Sequence, residues 1–218
     1  MGRRSGIRPS TVALTLSDEL SDERADDTTV IADVGLNTLW LYRYFLGARR
    51  FVWSSSFATM GFALPAAIGI ARRRSGTRIV AGVGDGGLAV TLSELATLAT
   101  LDEPVVICVF NNRRLGAIRF EQEIMGWPEF GSALHNGDLA ALARAFGVPA
   151  TTVRTRAQLR RVLRDVAGSG TPHLLDIICD AHEIPAPAQH RPAAAQVFAY
   201  GLALAREAWR AVAGRGGA

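Results

Sequence analysis

Six short apolar runs, separated for the most part by stretches of helical spacing, constrain this chain more than any other feature. The runs are "TVIADVG" (to residue 35), "RFVWSS", "RIVAGVGD", "PVVICVFNN", "ATTVR" and "HLLDIICD". Between them lie "NTLWLYRYFL" (37–46), "MGFALPAAIGIARRR" with arginines in its last turn, "TLSELATLATL" with Thr91 as a candidate N-cap, "DLAALARAFG" and "TRAQLRRVLRDVAG". Apolar runs of this length with helices between them predict parallel strands buried on both faces. The expected fold class is therefore α/β, a doubly wound parallel sheet with helices on both faces, over residues 28–185. Residues 1–27 end in "SDELSDERADD" and read as a polar N-terminal arm. After the proline-rich "EIPAPAQHRP", the apolar spacing of "AAAQVFAYGLALAREAWRAVAG" makes 186–218 a linker and a C-terminal helix. No internal repeat stands out.

Composition narrows the function classes. A chain of 218 residues, 49% apolar and 20% charged, has the make-up of a soluble globular domain with a full core. No run reaches the ~20 apolar residues of a membrane span. The basic start "MGRRSGIRPS" has no apolar segment behind it, so a cytoplasmic protein without a membrane role is expected. Cys108 and Cys179 sit inside apolar runs and read as buried reduced thiols. All 24 basic residues are arginine. Without a lysine amine, Schiff-base aldol chemistry, pyridoxal phosphate catalysis and a P-loop are excluded. The net charge of +4 comes from scattered arginine pairs rather than a basic stripe, which argues against nucleic acid and for a solvated face or one meeting an acidic partner. His135, His173, His182 and His190 show no metal-ligand spacing.

The segment "GVGDGG", Gly82 to Gly87, carries the chemistry. It satisfies the dinucleotide pattern G-x-G-x-x-G, but Asp85 stands where a bare pyrophosphate would be repelled. Asp85 ends one predicted strand and Asn111-Asn112 ends the next, with 24 residues between Gly86 and Asn111. A right-handed crossover of that length lays the two strands parallel, so Asp85 and Asn112 emerge on one edge of the sheet, where such folds bind ligands. A dinucleotide site would want an acid after the second strand; amides stand there instead. A hard divalent cation such as Mg²⁺ fits better, held by carboxylate, amide and backbone oxygens together with the oxygens of a diphosphate. Gly84, Gly86 and Gly87 allow backbone N–H groups to approach that diphosphate. A dinucleotide (NAD) module is the rival reading.

The order G-D-G, two dozen residues, N-N resembles the signature of thiamine diphosphate (ThDP) enzymes. "SSSFATMGFALPAAIGIA" (54–71) is similar to the "GLGTMGFGLPAAIGA" stretch of the acetolactate synthase and pyruvate oxidase group, and "DVGLNTLW" (33–40) to that group's "GQNTLW". The resemblance covers about 28–185 and concerns the pyrophosphate-binding domain of the thiamin diphosphate-binding fold. It implies Asp85, Asn112 and the backbone carbonyl of Arg114 as Mg²⁺ ligands. It implies Gly84, Gly86, Gly87 and Gly116, with the turn Val34, Gly35, Leu36 and Asn37, as cofactor-binding. Serine or alanine is frequent in the family where Gly87 stands, and glutamine where Leu36 stands. Met60 matches the apolar residue that props the cofactor in its bent shape and belongs with the catalytic group. Ala58 matches a position whose carbonyl accepts from the aminopyrimidine; alanine there suits only a negative φ.

Downstream, "NNRRLGAIRFEQEIMGWPEF" resembles the oxidase side of the group. Glu121 falls where those oxidases carry a glutamate facing the thiazolium, and would handle a proton there; a solvated helix glutamate is the competing reading. Gln122 is a weaker candidate of the same kind. Ala117 stands where the oxidases have an aromatic, so FAD chemistry is not expected. The resemblance further implies a partner: a second subunit carrying the pyrimidine-binding domain and its glutamate, most simply in an α2β2 complex, acting on a small 2-oxo acid as a decarboxylase or carboligase. The terminal helix around Phe198, Leu202 and Trp209 would add an apolar anchor. A non-catalytic ThDP-fold partner is the alternative.

Overall fold

A computed structural model describes residues 6–20, 28–74 and 76–184. The expected C-terminal helix lies outside the described residues. All six anticipated strands form: β1 (Thr28–Ala32), β2 (Arg50–Trp53), β3 (Arg78–Gly84), β4 (Val105–Asn111), β5 (Ala150–Val153) and β6 (His173–Ile178). They make one sheet in the order β2-β1-β3-β4-β6-β5, and every pairing is parallel. The helices are α1 (Pro9–Leu20), α2 (Leu36–Tyr44), α3 (Ala63–Ala71), α4 (Asp85–Val90), α5 (Glu94–Leu98), α6 (Gly116–Ile124), α7 (Leu139–Ala145) and α8 (Arg156–Ala167).

The two-residue period of a strand divides the core. Along β4, Val106, Cys108 and Phe110 join the cluster under α1, α2 and α8, while Val105, Ile107 and Val109 join the cluster under α3, α5 and α7. Both faces being covered, β4 is buried at all seven positions, which is why it reads as an unbroken apolar run. Cys108 and Cys179 are free and buried, and burial pushes both thiols up in pKa.

Two expectations need correction. The polar-arm reading missed α1. Val12, Ala13, Leu16 and Leu20 are fully buried in the core, and α1 packs on α2 and α8. Its acids are the outer face of that packing: Asp18 and Glu19 meet Arg156, Arg160 and Arg164 of α8. Part of the arginine surface thus finds its acidic partner within the chain. Thr91 is the second correction. It caps the C-terminus of α4, its N–H donating to Leu88 O at 3.1 Å, because a helix already begins at Asp85 where strand β3 ends.

The chain runs outward from β1 to β2, returns to β3, and proceeds the other way to β4. The order therefore reverses between β1 and β3, the place where open parallel sheets form a crevice. The segments leaving β1, β3 and β4 all open there.

Candidate functional site

Gly84 of β3 pairs with Phe110 of β4, so Asp85 and Asn112 leave the sheet on the same edge. They line a cavity of about 320 Å³ with the turn after β1, the segment before α3 and the start of α6. The residues assigned to the site from the sequence all line it: Val34, Gly35, Leu36, Asn37, Ala58, Met60, Gly84, Asp85, Gly86, Gly87, Asn112, Arg114, Gly116 and Glu121. The weaker candidate Gln122 does not. Its side-chain amide bonds both Phe130 O (2.9 Å) and Phe130 N (3.2 Å), holding the loop behind α6.

Asp85 is almost wholly buried, at 1% exposure. Burial pushes its pKa up to about 7, against the pull of backbone N–H groups of Gly86 and Arg113. Asn136 Nδ2 approaches its Oδ2 at 3.4 Å. The Asn112 Oδ1 accepts the Arg114 N–H at 3.0 Å in a tight turn for which Arg113 adopts a φ of +58°. Arg114 has its guanidinium paired with Glu129, which also accepts from Ser132. Burial raises Glu129, but the Ser132 hydroxyl and the Arg114 guanidinium outweigh it and hold the carboxyl below its usual pKa.

The glycines are tight for two reasons. A Cβ on Gly86 would come within 2.9 Å of Leu115 Cδ2 on the cleft side. A Cβ on Gly87 would come within 2.2 Å of the Asp33 Oδ2. Asp33 was not anticipated. Fully buried at the end of β1, its carboxylate accepts from Val34 N (2.7 Å), Gly61 N (2.9 Å) and Phe62 N (3.2 Å). It ties the Met60 segment to the sheet edge and fills the space that a larger residue at 87 would need. Its only signal in the sequence was a carboxylate at the carboxyl end of an apolar run.

Other positions also depart from expectation. The Asn37 side chain is buried and donates to Asp33 O (2.9 Å) and Gly82 O (3.1 Å), clamping β1 to β3. Ala58 has a φ of +45°, not the negative value expected of alanine. Glu121 is exposed on α6, a helix with no buried residue. Pro9, Trp40, Asp180 and Glu183 complete the far wall. Glu183 accepts both the N–H (2.9 Å) and the hydroxyl (2.6 Å) of Ser10, anchoring the first turn of α1 beside the cleft. This contact spans 173 residues and left no local signature.

The fold and cleft define an α/β domain with its ligand crevice at a switch point, floored by a buried carboxylate. Residues 33–177 match the family described as thiamine pyrophosphate enzyme, C-terminal TPP binding domain, and the chain belongs to that family. It is 33% identical over 184 residues to a probable acetolactate synthase large subunit of Methanocaldococcus jannaschii, covering 81% of this chain and 31% of that protein. It is 31% identical over 169 residues to the acetolactate synthase isozyme 2 large subunit of Escherichia coli, covering 76% of this chain and 31% of that one. The chain thus spans less than a third of the length of these curated relatives. Among solved structures, a thiamine diphosphate-dependent 4-hydroxybenzoylformate decarboxylase of Rhodococcus jostii shares the fold, with a TM-score of 0.73 at 21% identity over 83% of this chain and 34% of that one. The family match leaves the dinucleotide reading of "GVGDGG" without support. Among the described residues, no helix is long and apolar enough to cross a membrane.

Proposed function

We propose that this chain is the cofactor-anchoring subunit of a two-chain ThDP-dependent enzyme that decarboxylates a small 2-oxo acid, passing on or releasing the acyl unit. The observation that carries this is the buried Asp85 carboxylate lining one cleft with Asn112, at the ends of the adjacent strands β3 and β4. Burial raises its pKa, which is unfavourable for an isolated carboxylate and is offset when a divalent cation binds. Carboxylate, amide and backbone carbonyl form a hard oxygen set of the kind Mg²⁺ takes with phosphates, so the residues fit the group.

In this reading Asp85, Asn112 and the Arg114 carbonyl hold Mg²⁺, and the backbone at Gly84, Gly86, Gly87 and Gly116 meets the diphosphate with the turn Val34–Asn37. Asn37 serves that turn by pinning it to β3. Met60, held through the Asp33 clamp on Gly61, presents an apolar prop, and the Ala58 carbonyl accepts from the aminopyrimidine. When bound, ThDP supplies the electron sink that loss of CO₂ from a 2-oxo acid requires. Glu121, on the solvent side of the cleft, moves a proton on the substrate.

The pyrimidine-binding domain and its glutamate come from a second chain in this proposal, in an α2β2 complex. Calorimetric titration with ThDP and Mg²⁺ tests the anchor. Asp85→Ala and Asn112→Ala are expected to lose Mg²⁺-dependent binding while remaining folded, as read by circular dichroism. Unchanged affinity in both would overturn the metal assignment.

A further inference from the structure

A second cavity, of about 530 Å³, opens at the carboxyl ends of β4, β6 and β5, and shares no lining residue with the cleft. Its floor is unusual for this sheet. On the face covered by α3, α5 and α7, β6 contributes Leu174 to the apolar core; two positions further along, the same face presents Asp176. Asp176 pairs with Val109 on one side and Thr152 on the other, inside a strand whose neighbours Leu174, Leu175 and Ile177 are all fully buried. A carboxylate in such a place is costly unless it is used.

Asp176 and Asn111 are each 2% exposed. Asn111 Nδ2 donates to Asp176 Oδ1 at 2.8 Å, and Asn111 Oδ1 accepts from Arg113 N at 3.3 Å. Among the described residues Asp176 Oδ2 accepts no hydrogen bond. At the mouth stand Arg113 and Arg154, both exposed, from the segments that follow β4 and β5. Neither guanidinium forms an ion pair with a described residue, though both act on Asp176 through space. Asp138 also lines the cavity and sets a negative charge against Asp176, while its Oδ1 caps α7 by accepting from Ala141 N at 2.8 Å.

We propose that this cavity binds a small carboxylic acid that carries a hydroxyl or amino donor beside its carboxylate. The guanidiniums take the carboxylate in the forked geometry that arginine offers, and the neighbouring donor reaches the open oxygen of Asp176. A small molecule suits the site better than a macromolecule, because the acceptor lies at the bottom of a concavity within the ~300–1,000 Å³ range of ligand pockets. Asn136 on its wall bonds Asp85 of the first cleft at 3.4 Å, whereas Arg113, Arg154 and Asp176 do not line that cleft.

Titration calorimetry of the full chain with L-lactate, L-alanine and propionate tests it. Propionate has the carboxylate and lacks the donor. The expected result is saturable binding of lactate or alanine about tenfold or more tighter than propionate, the scale of a charge-assisted hydrogen bond. Arg154→Ala, an exposed change whose fold is checked by its melting temperature, should weaken that binding by a similar factor. Asp176→Asn should remove the preference over propionate. Glu121→Gln, in the other cleft, should leave all three titrations unchanged. Equal affinity for the three acids, binding untouched by Arg154→Ala, loss in Glu121→Gln, or no saturable binding of any of them would overturn the proposal.

Discussion

At the scale of single residues, the cleft depends on Asp33, a carboxylate ahead of the Val34–Asn37 turn to which the resemblance gave no role. Asp33 and Gly87 occupy adjoining space, so the glycine is fixed by its neighbour as well as by any ligand. Gly87→Ala should displace the Asp33 carboxylate from its N–H donors and destabilise the fold by about 1–3 kcal/mol, read by urea unfolding. An unchanged midpoint would show that the carboxylate relaxes freely. Asp85 makes a separate prediction through pH. Its folded pKa, about 7, lies above the ordinary 3.8, so the neutral form favours folding. That contribution is complete below pH ~4 and is lost as pH rises through about 7, with a slope of at most ~1.4 kcal/mol for each tenfold fall in acidity. In EDTA, Asp85→Asn should therefore flatten the fall in melting temperature across this window. Parallel profiles for the two proteins would contradict the assignment.

At the scale of elements, α1 shows how far a polar surface hides a core helix. Leu16 is fully buried, whereas Asp18 is half-exposed in its ion pairs with α8. Leu16→Ala should cost about 2–5 kcal/mol, the range for a large-to-small change in a core. Asp18→Ala should stay within about 1 kcal/mol, as surface ion pairs do. Chemical denaturation of both variants separates a structural helix from a dispensable arm. The strands were legible because burial on two faces leaves a continuous apolar run. The short α4 was not, since "DGGLAV" has poor helix formers and its start is set by the end of β3. Nor was α6 resolved within a stretch that reads as loose: it buries no residue and is held by ties such as those of Gln122 to Phe130.

At the scale of the whole molecule, the cleft is one wall of a larger site in the proposed function. Beside it lie exposed apolar side chains, Phe57 at 90% next to Ala58 and Ile118 at 45% on α6. In that reading the partner's pyrimidine domain covers them. Turnover of a 2-oxo acid should be negligible for the chain alone and restored on mixing with the partner, with tighter ThDP binding in the complex. Decarboxylation by the isolated chain at about 1 s⁻¹ or faster would end the two-chain proposal. In the reconstituted complex, Glu121→Gln should lower turnover by about 10²–10⁴-fold with cofactor affinity unchanged, the signature of a lost proton carrier. A loss within about twofold would return Glu121 to the solvated surface.

Whatever depends on neighbours in the chain was already written in its residues: the strand and helix periods, the parallel sheet they require, and the emergence of Asp85 and Asn112 on one edge through one crossover. The fourteen residues assigned to the site from the motifs all line one cleft, because the motifs sit on segments leaving neighbouring strands. Contacts between distant segments were settled by folding alone. Glu183 capping Ser10, Asp33 holding Gly61 and Phe62, and Asn111 supporting Asp176 each join positions whose local sequence says nothing of the other. The backbone at Ala58 belongs with these. Its φ of +45° lies in a region that alanine does not favour, so nothing in the local sequence pointed to it. A local pattern records which face of an element is buried; it does not record what will be buried against it.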